Sequence, residues 1–282
     1  MWAFWALTLL AAQVQSVSSK QVVIQPVANL YSKPSLDADV VSQAIYSTHV
    51  DLLERQQDWV RVRTPDQYTG WIESKALVAA SAYPQPDRAA RVESLFANLY
   101  VEPDITKHQP VLTVPFETRL EVIAEPEGEN RRWVQVRLPT GGTAWVQRGD
   151  ITRDERKQSI AETIELSKRF LGLPYLWGGV STFGYDCSGL TQMLYRRRGY
   201  TLPRDADQQA AWDGVKPVVP TDLQPGDLLF FGSSPQKITH TGMYIGNGEF
   251  INATAYLKPV VQICRVGDDH WSKLLVAARR IK

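Results

Sequence analysis

Short runs of alternating apolar and polar residues fill the first half of the chain, and they come twice. Ala28-Asn29-Leu30-Tyr31-Ser32-Lys33-Pro34 returns as Ala97-Asn98-Leu99-Tyr100-Val101-Glu102-Pro103. Asp58-Trp59-Val60-Arg61-Val62-Arg63 returns as Arg132-Trp133-Val134-Gln135-Val136-Arg137, and Gly70-Trp71-Ile72 returns as Ala144-Trp145-Val146. In Trp59 to Arg63 the period of two sends the valines to one face and Trp59, Arg61 and Arg63 to the other. Val50 to Glu54 and Leu120 to Ala124 read as further strands ahead of each Trp-Val strand. The pattern predicts two small β-barrels, over 20–80 and 91–152, each burying one strand face and closing most of its edges. Residues 81–90, with Tyr83-Pro84-Gln85-Pro86, read as a stiff linker between them.

Near Thr152 the alternation stops, and residues 153–282 form a third domain. Helical spacing of Ile160, Ala161, Ile164 and Leu171 predicts a helix within 154–171, ended by Gly172 and Pro174. A second helix is expected to begin at Cys187, capped by Asp186, with Leu190, Thr191 and Leu194 on the face of the cysteine. Arg196-Arg197-Arg198-Gly199 closes it, with cations against the helix dipole and a glycine at the end. Thr239 to Thr254 reads as a hairpin around Gly246-Asn247-Gly248. A three-residue loop there sets Tyr244 opposite Phe250 and Gly242 opposite Asn252. His240 and Asn252 then share a face, with Met243, Ile245 and Ile251 on the other. A strict two-residue Asn-Gly loop would part them.

Composition narrows the function. The chain has 282 residues and a formal net charge of +1, with no long basic run, which gives nucleic-acid binding no support. Its 44% hydrophobic and 22% charged residues are those of a globular protein. Nine Trp and eleven Tyr suit small aromatic-cored β-domains or surfaces that stack on a ligand. Residues 1–19 hold an apolar stretch too short to span a bilayer, followed by a polar segment. This fits an export signal, although no Lys or Arg precedes the apolar run. Export to the periplasm or cell envelope is expected if that segment is a signal, and a cytoplasmic location otherwise. No stable membrane span, no metal and no cofactor are expected, and the chain is read as a monomer. The two cysteines and four histidines lack zinc-ligand spacing.

Cys187 and His240 carry the candidate chemistry. A thiol attacks as thiolate, and a helix N-terminus beside an imidazole lowers its pKa. His240 is the candidate general base, and Asn252 the group that fixes its ring. Cys264, in Val260 to Val266, reads as a structural strand residue.

These residues resemble a known family. Pro174-Tyr175-Leu176-Trp177-Gly178-Gly179, Asp186-Cys187-Ser188-Gly189-Leu190, Leu202-Pro203-Arg204-Asp205, Gln224-Pro225-Gly226-Asp227-Leu228 and His240 with its hairpin are similar, in that order, to the NlpC-type cell-wall peptidases. Those are papain-like cysteine peptidases acting on bacterial peptidoglycan peptides. The repeats between Gln21 and Ile151 resemble bacterial SH3-like domains. The expected fold is therefore α+β, a papain-like cysteine peptidase domain preceded by two small SH3-like β-barrels. The third catalytic position of the family, commonly His, falls on Asn252. By resemblance, Tyr175 would help hold the reacting carbonyl, while Asp186, Ser188, Arg204 and Asp205 would line the peptide site. Tandem SH3-like domains ahead of the peptidase resemble γ-D-glutamyl-L-diamino acid endopeptidases, in which the first barrel walls off the cleft and selects a free N-terminal L-Ala. Tyr68 lies in the loop that would reach that cleft. Ala206 stands where a Ser is common, and Lys33 where an acidic residue would help bind the amine. Two other readings are open: a Cys/His amidase for the glycan–peptide or cross-bridge amide, and a non-catalytic wall-binding protein.

Overall fold

The structure, a computed structural model, describes residues 20–79 and 82–282, so the expected export signal lies outside the described residues. Seven strands make the first unit: β1 (Lys20–Val23), β2 (Val27–Tyr31), β3 (Val40–Ile45), β4 (His49–Gln56), β5 (Trp59–Arg63), β6 (Thr69–Glu73) and β7 (Leu77–Ala79). Seven follow in the second: β8 (Ala89–Val92), β9 (Phe96–Leu99), β10 (Leu112–Pro115), β11 (Arg119–Ala124), β12 (Trp133–Arg137), β13 (Thr143–Gln147) and β14 (Ile151–Thr152). The repeat is visible as packing. Tyr31 meets Trp59 edge to face at 5.4 Å, and Tyr100 meets Trp133 in the same way at 5.5 Å. Val60 and Val62 are fully buried on the face that alternation assigns them.

The α+β class holds, but the barrels do not. The first unit is one open sheet in the order β3-β2-β6-β5-β4-β1-β7, and no ladder joins its ends. The second divides into a five-stranded sheet, β13-β12-β11-β8-β14, and a two-stranded sheet, β10-β9, linked by a Tyr100–Trp145 bridge. Alternation predicts which face is buried and carries no information on whether the outermost strands meet. Here edge strand β3 is covered instead by the third domain, whose Val180 N–H donates to Gln43 Oε1 and whose Gly178 packs on Val40. Covering an edge removes the need to close it.

The third domain contains α1 (Ile160–Lys168), β15 (Val180–Ser181), β16 (Gly184–Tyr185), α2 (Cys187–Arg197), α3 (Ala206–Ala211), β17 (Val215–Pro217), β18 (Leu228–Ser234), β19 (Lys237–Gly246), β20 (Glu249–Thr254), β21 (Val260–Arg265), α4 (Asp269–Leu274) and β22 (Leu275–Ile281). Helix α1 is shorter than its apolar spacing suggests. A capping box of Ser159 and Glu162 starts it late, it buries Thr163, Leu166 and Ser167, and Leu171 lies beyond its end, exposed. Helix α2 lies on an antiparallel sheet in the order β17-β22-β18-β19-β20-β21. Leu190, Met193 and Leu194 pack there against Met243, Ile251 and Ala253. The cores interlock: Tyr46 of the first unit sits in the core of the second, and Phe116 of the second sits in the core of the third.

Candidate active site

Asp186 caps α2 as expected, its Oδ1 accepting the Gly189 N–H at 2.7 Å. Gly189 is required, because a Cβ there would collide with the Gly179 carbonyl. Cys187 is therefore the first helical residue, 8% exposed. The β19–β20 ladder stops at Met243–Ile251, while β19 stays paired with β18 through His240–Phe231 and on to Lys237–Ser234. Beyond that stop the Thr241 N–H acts on the Cys187 sulfur, so the thiol lies against the residue following His240.

The hairpin has the expected pairing by a different device. Asn247 and Gly248, both with positive φ, make a tight turn closed by Gly246 opposite Glu249. A register shift between Tyr244 and Gly246 then restores Tyr244 opposite Phe250. Gly242 keeps this strand close to Asn252, whose Cβ would stand 3.1 Å from a Cβ at 242. His240 Nε2 is 3.0 Å from Asn252 Oδ1. The Asn252 amide nitrogen donates to the Gln262 carbonyl at 3.2 Å and to Cys264 Sγ at 3.4 Å. Its oxygen is thus left to accept, so Nε2 carries the ring proton and Nδ1 is the free base.

Electrostatics reverse one expectation. Burial, with Asp186 adding to it, pushes the Cys187 thiol up to about 12, against the Thr241 and Ser188 N–H groups and Arg204 that favour the thiolate. Burial likewise lowers His240 to about 4, while Asn252 opposes the shift. The pair rests as neutral thiol and neutral imidazole, because loss of solvent outweighs the helix N-terminus.

Around this pair the other sequence candidates divide. Tyr175 is beside the thiol, its hydroxyl raised to about 12 by burial and then by Cys187. Asp186, Ser188 and Arg204 are buried together. Arg204 grips Asp186 with Nη1–Oδ1 at 3.1 Å and Nη2–Oδ2 at 2.5 Å, and donates to Ser188 Oγ and to Ser42 Oγ of β3 at 2.9 Å each. Their polar groups are thus engaged with one another. Tyr68 crosses from the first unit to hydrogen-bond Asp205, and burial lifts the Asp205 carboxyl above its ordinary value.

Two further residues complete the surroundings of His240: Trp271, which sequence reasoning missed, and Cys264, which it read as a structural strand residue. The Trp271 indole, buried in α4, stacks on the imidazole at 5.1 Å and 27°. Cys264 accepts from both Asn252 and Trp271, joining the group that orients the ring to the group that covers it. Only an unassigned Trp in a short C-terminal helix could have pointed there.

Comparison with known proteins gives the family. The NlpC/P60 family model matches residues 172–280, a bacterial dipeptidyl-peptidase Sh3 domain matches 30–77, and the YKFC SH3b2 domain matches 92–153. A γ-D-glutamyl-L-lysine dipeptidyl-peptidase of Bacillus cereus is 34% identical over 75% of this chain, which spans 66% of that relative. The protein of the same name from Bacillus subtilis is 30% identical over 86% of this chain and 82% of its own length. The crystal structure of an NlpC/P60 family protein from Bacillus cereus superposes with a TM-score of 0.80 at 27% identity, covering 93% of this chain and 99% of that one. The chain belongs to the NlpC/P60 family, with a cysteine-peptidase domain preceded by tandem SH3-like domains, and is related to the γ-D-glutamyl-L-lysine dipeptidyl-peptidases.

Proposed function

We propose that this protein is a cysteine peptidase that hydrolyses the γ-D-glutamyl–diamino acid amide of peptidoglycan stem peptides, with meso-diaminopimelate or Lys as the diamino acid. The observation that carries the reading is the His240–Asn252 bond with its amide orientation fixed, set beside a thiol at a helix start. Nδ1 of His240 takes the Cys187 proton as the sulfur attacks the amide carbonyl. Backbone N–H groups at the start of α2 hold the developing oxyanion, with Tyr175 beside it. The imidazolium returns the proton to the leaving amine as the C–N bond breaks. Water, deprotonated by His240, then opens the thioester and releases the γ-carboxylate.

Selection of a free N-terminal L-Ala rests on Tyr68 and Asp205, which offer an ammonium one carboxylate where the first unit narrows the approach. The activity for which these relatives are named, toward γ-D-glutamyl-L-lysine, supports the same bond. Digestion of defined muropeptides with and without a free L-Ala amine, read by mass spectrometry, tests both parts. The expected product is L-Ala-γ-D-Glu from free-amine peptides, with little cleavage of stems still joined to glycan. Cleavage at the glycan–peptide amide would reject the assignment.

A further inference from the structure

Behind the catalytic helix, where all three domains meet, lies a cavity of about 470 Å³ that Cys187, His240 and Asn252 do not line. Its walls carry six cationic side chains against three acidic ones. The cations without partners stand on its exposed side, and the deeply placed ones are paired. Arg91 and Arg197, 5% and 9% exposed, share Glu117 at 3.3 and 3.0 Å; the Arg197 Nε has no hydrogen-bond acceptor, and the Arg91 Nε meets Glu117 without hydrogen-bond alignment. Arg119 and Arg91 share Glu155 at 2.8 and 3.1 Å. Glu93, just outside the cavity, is divided among Arg91, Arg169 and Arg197. Four guanidiniums therefore share three carboxylates. Of the other cations on the wall, Arg156 pairs with Asp154 and Glu162, and Lys157 and Arg196, both exposed, have no acidic partner among the described residues.

Cations gathered along the walls of a cleft raise its local potential and draw an anion into it. Guanidiniums bind carboxylate and phosphate bidentately, and the volume is in the range of small-molecule sites. Ile45, Pro65 and Val180 supply apolar wall for an organic body. We propose that this cavity is a second ligand site, for a small organic anion carrying two or more carboxylate or phosphate groups.

Such a ligand would reach the catalytic machinery through shared walls. Ser42 and Gln43 line the cavity, and they also accept hydrogen bonds from Arg204 and from the Val180 N–H. Asp66, on the turn that carries Tyr68, lines it while accepting from Gln192 of α2 at 2.8 Å. An occupant would hold the first unit against the catalytic domain, and so hold Tyr68 over Asp205.

Isothermal titration calorimetry of the full-length protein with citrate and, separately, with pyrophosphate tests the proposal, with ionic strength held constant by NaCl. Saturable one-to-one binding of at least one probe is expected, and the tighter of the two tells carboxylate from phosphate. Arg196→Gln combined with Lys157→Gln should weaken it at least about fivefold, the scale of a lost charged hydrogen bond. Thr201→Trp, at the exposed rim, should block it by bulk. Lys216→Gln with Lys237→Gln, the same charge change away from the cavity, should leave it unaltered. Cys187→Ala protein should bind as wild type does, which keeps this result separate from that of the proposed peptidase activity. Absence of saturable binding for both probes, binding indifferent to both cavity variants, or equal weakening by the control pair would each overturn the proposal.

Discussion

The two SH3-like units carry the same repeat in the sequence and share the same edge-to-face Tyr–Trp pair, yet they hold opposite ends of the catalytic helix. The first unit grips the start of α2: Ser42 accepts from Arg204, which pairs with the Asp186 cap. The second grips the end, where Arg197 meets Glu93 and Glu117. Cys187 stands at the first grip, so the first unit is placed to affect substrate and the second to affect rigidity. Two units built on the same repeat differ in effect because they meet opposite ends of one helix dipole. The start of a helix presents N–H groups to an anion or oxyanion, whereas its end presents carbonyls to cations.

The largest effect expected is at the thiol. Cys187→Ala should abolish hydrolysis of the free-amine peptide, a loss of at least about a thousandfold, while circular dichroism remains that of wild type. A variant within tenfold of wild type would remove Cys187 from the chemistry and leave the first grip without a functional meaning.

The two grips themselves can then be set against each other. Arg204→Met leaves Asp186 buried without its cation and should cost about 3–5 kcal/mol in denaturant unfolding. It should also lower kcat/KM, because the cap that places Cys187 is loosened. Glu117→Gln, at the other grip, keeps the side-chain shape and removes a charge shared by Arg91 and Arg197. A smaller loss is expected, about 1–3 kcal/mol, with kcat/KM per folded molecule unchanged. Equal kinetic effects from the two would erase the distinction between the units.

How much of this was legible in the sequence depends on range. The α2 cap, the Cys187 face and the pairing of His240 with Asn252 come from spacings within a single helix or hairpin, and local spacing determines them. The expected barrels failed because closure depends on where the outermost strands go, and β3 was covered by another domain. Arg204 was singled out for the substrate site, and its buried bond to Ser42 spans 162 positions, beyond any local pattern. Trp271 was missed for the same reason: it comes from a six-residue helix and meets His240 only in the folded protein.

A smaller effect is expected at Asn252. Its replacement by Ala frees the imidazole to rotate and should lower kcat about tenfold or more with little change in KM, while Cys187 still reacts with iodoacetamide. Asn252→His should restore part of the rate. Since His240 is lowered to about 4, the folded protein keeps the ring neutral at pH values where an unfolded histidine, near 6.5, takes a proton. The unfolded chain therefore binds more protons between those values, and the His240 contribution to stability falls as pH drops through that window. Denaturant titrations at pH 7 and pH 5 should show this fall in wild type, and His240→Gln should reduce it.

The smallest effect, and the finest test, concerns Cys264. Its sulfur accepts from Asn252 and from Trp271, so it fixes two groups that fix His240 without itself meeting the thiol. Cys264→Ala should retain most activity, with kcat lowered only a few-fold, because the Gln262 carbonyl still holds the Asn252 amide in the same orientation. Cys264→Ser replaces a weak, long acceptor with a short, strong one and should recover part of the loss if acceptance is what matters. If instead Ala and Ser fall together, packing of α4 against the sheet is the cause, and a thermal shift should accompany the kinetic change. A complete loss in Cys264→Ala with Cys187 intact would move the nucleophile to the other cysteine. Neither grip on α2 would then bear on catalysis.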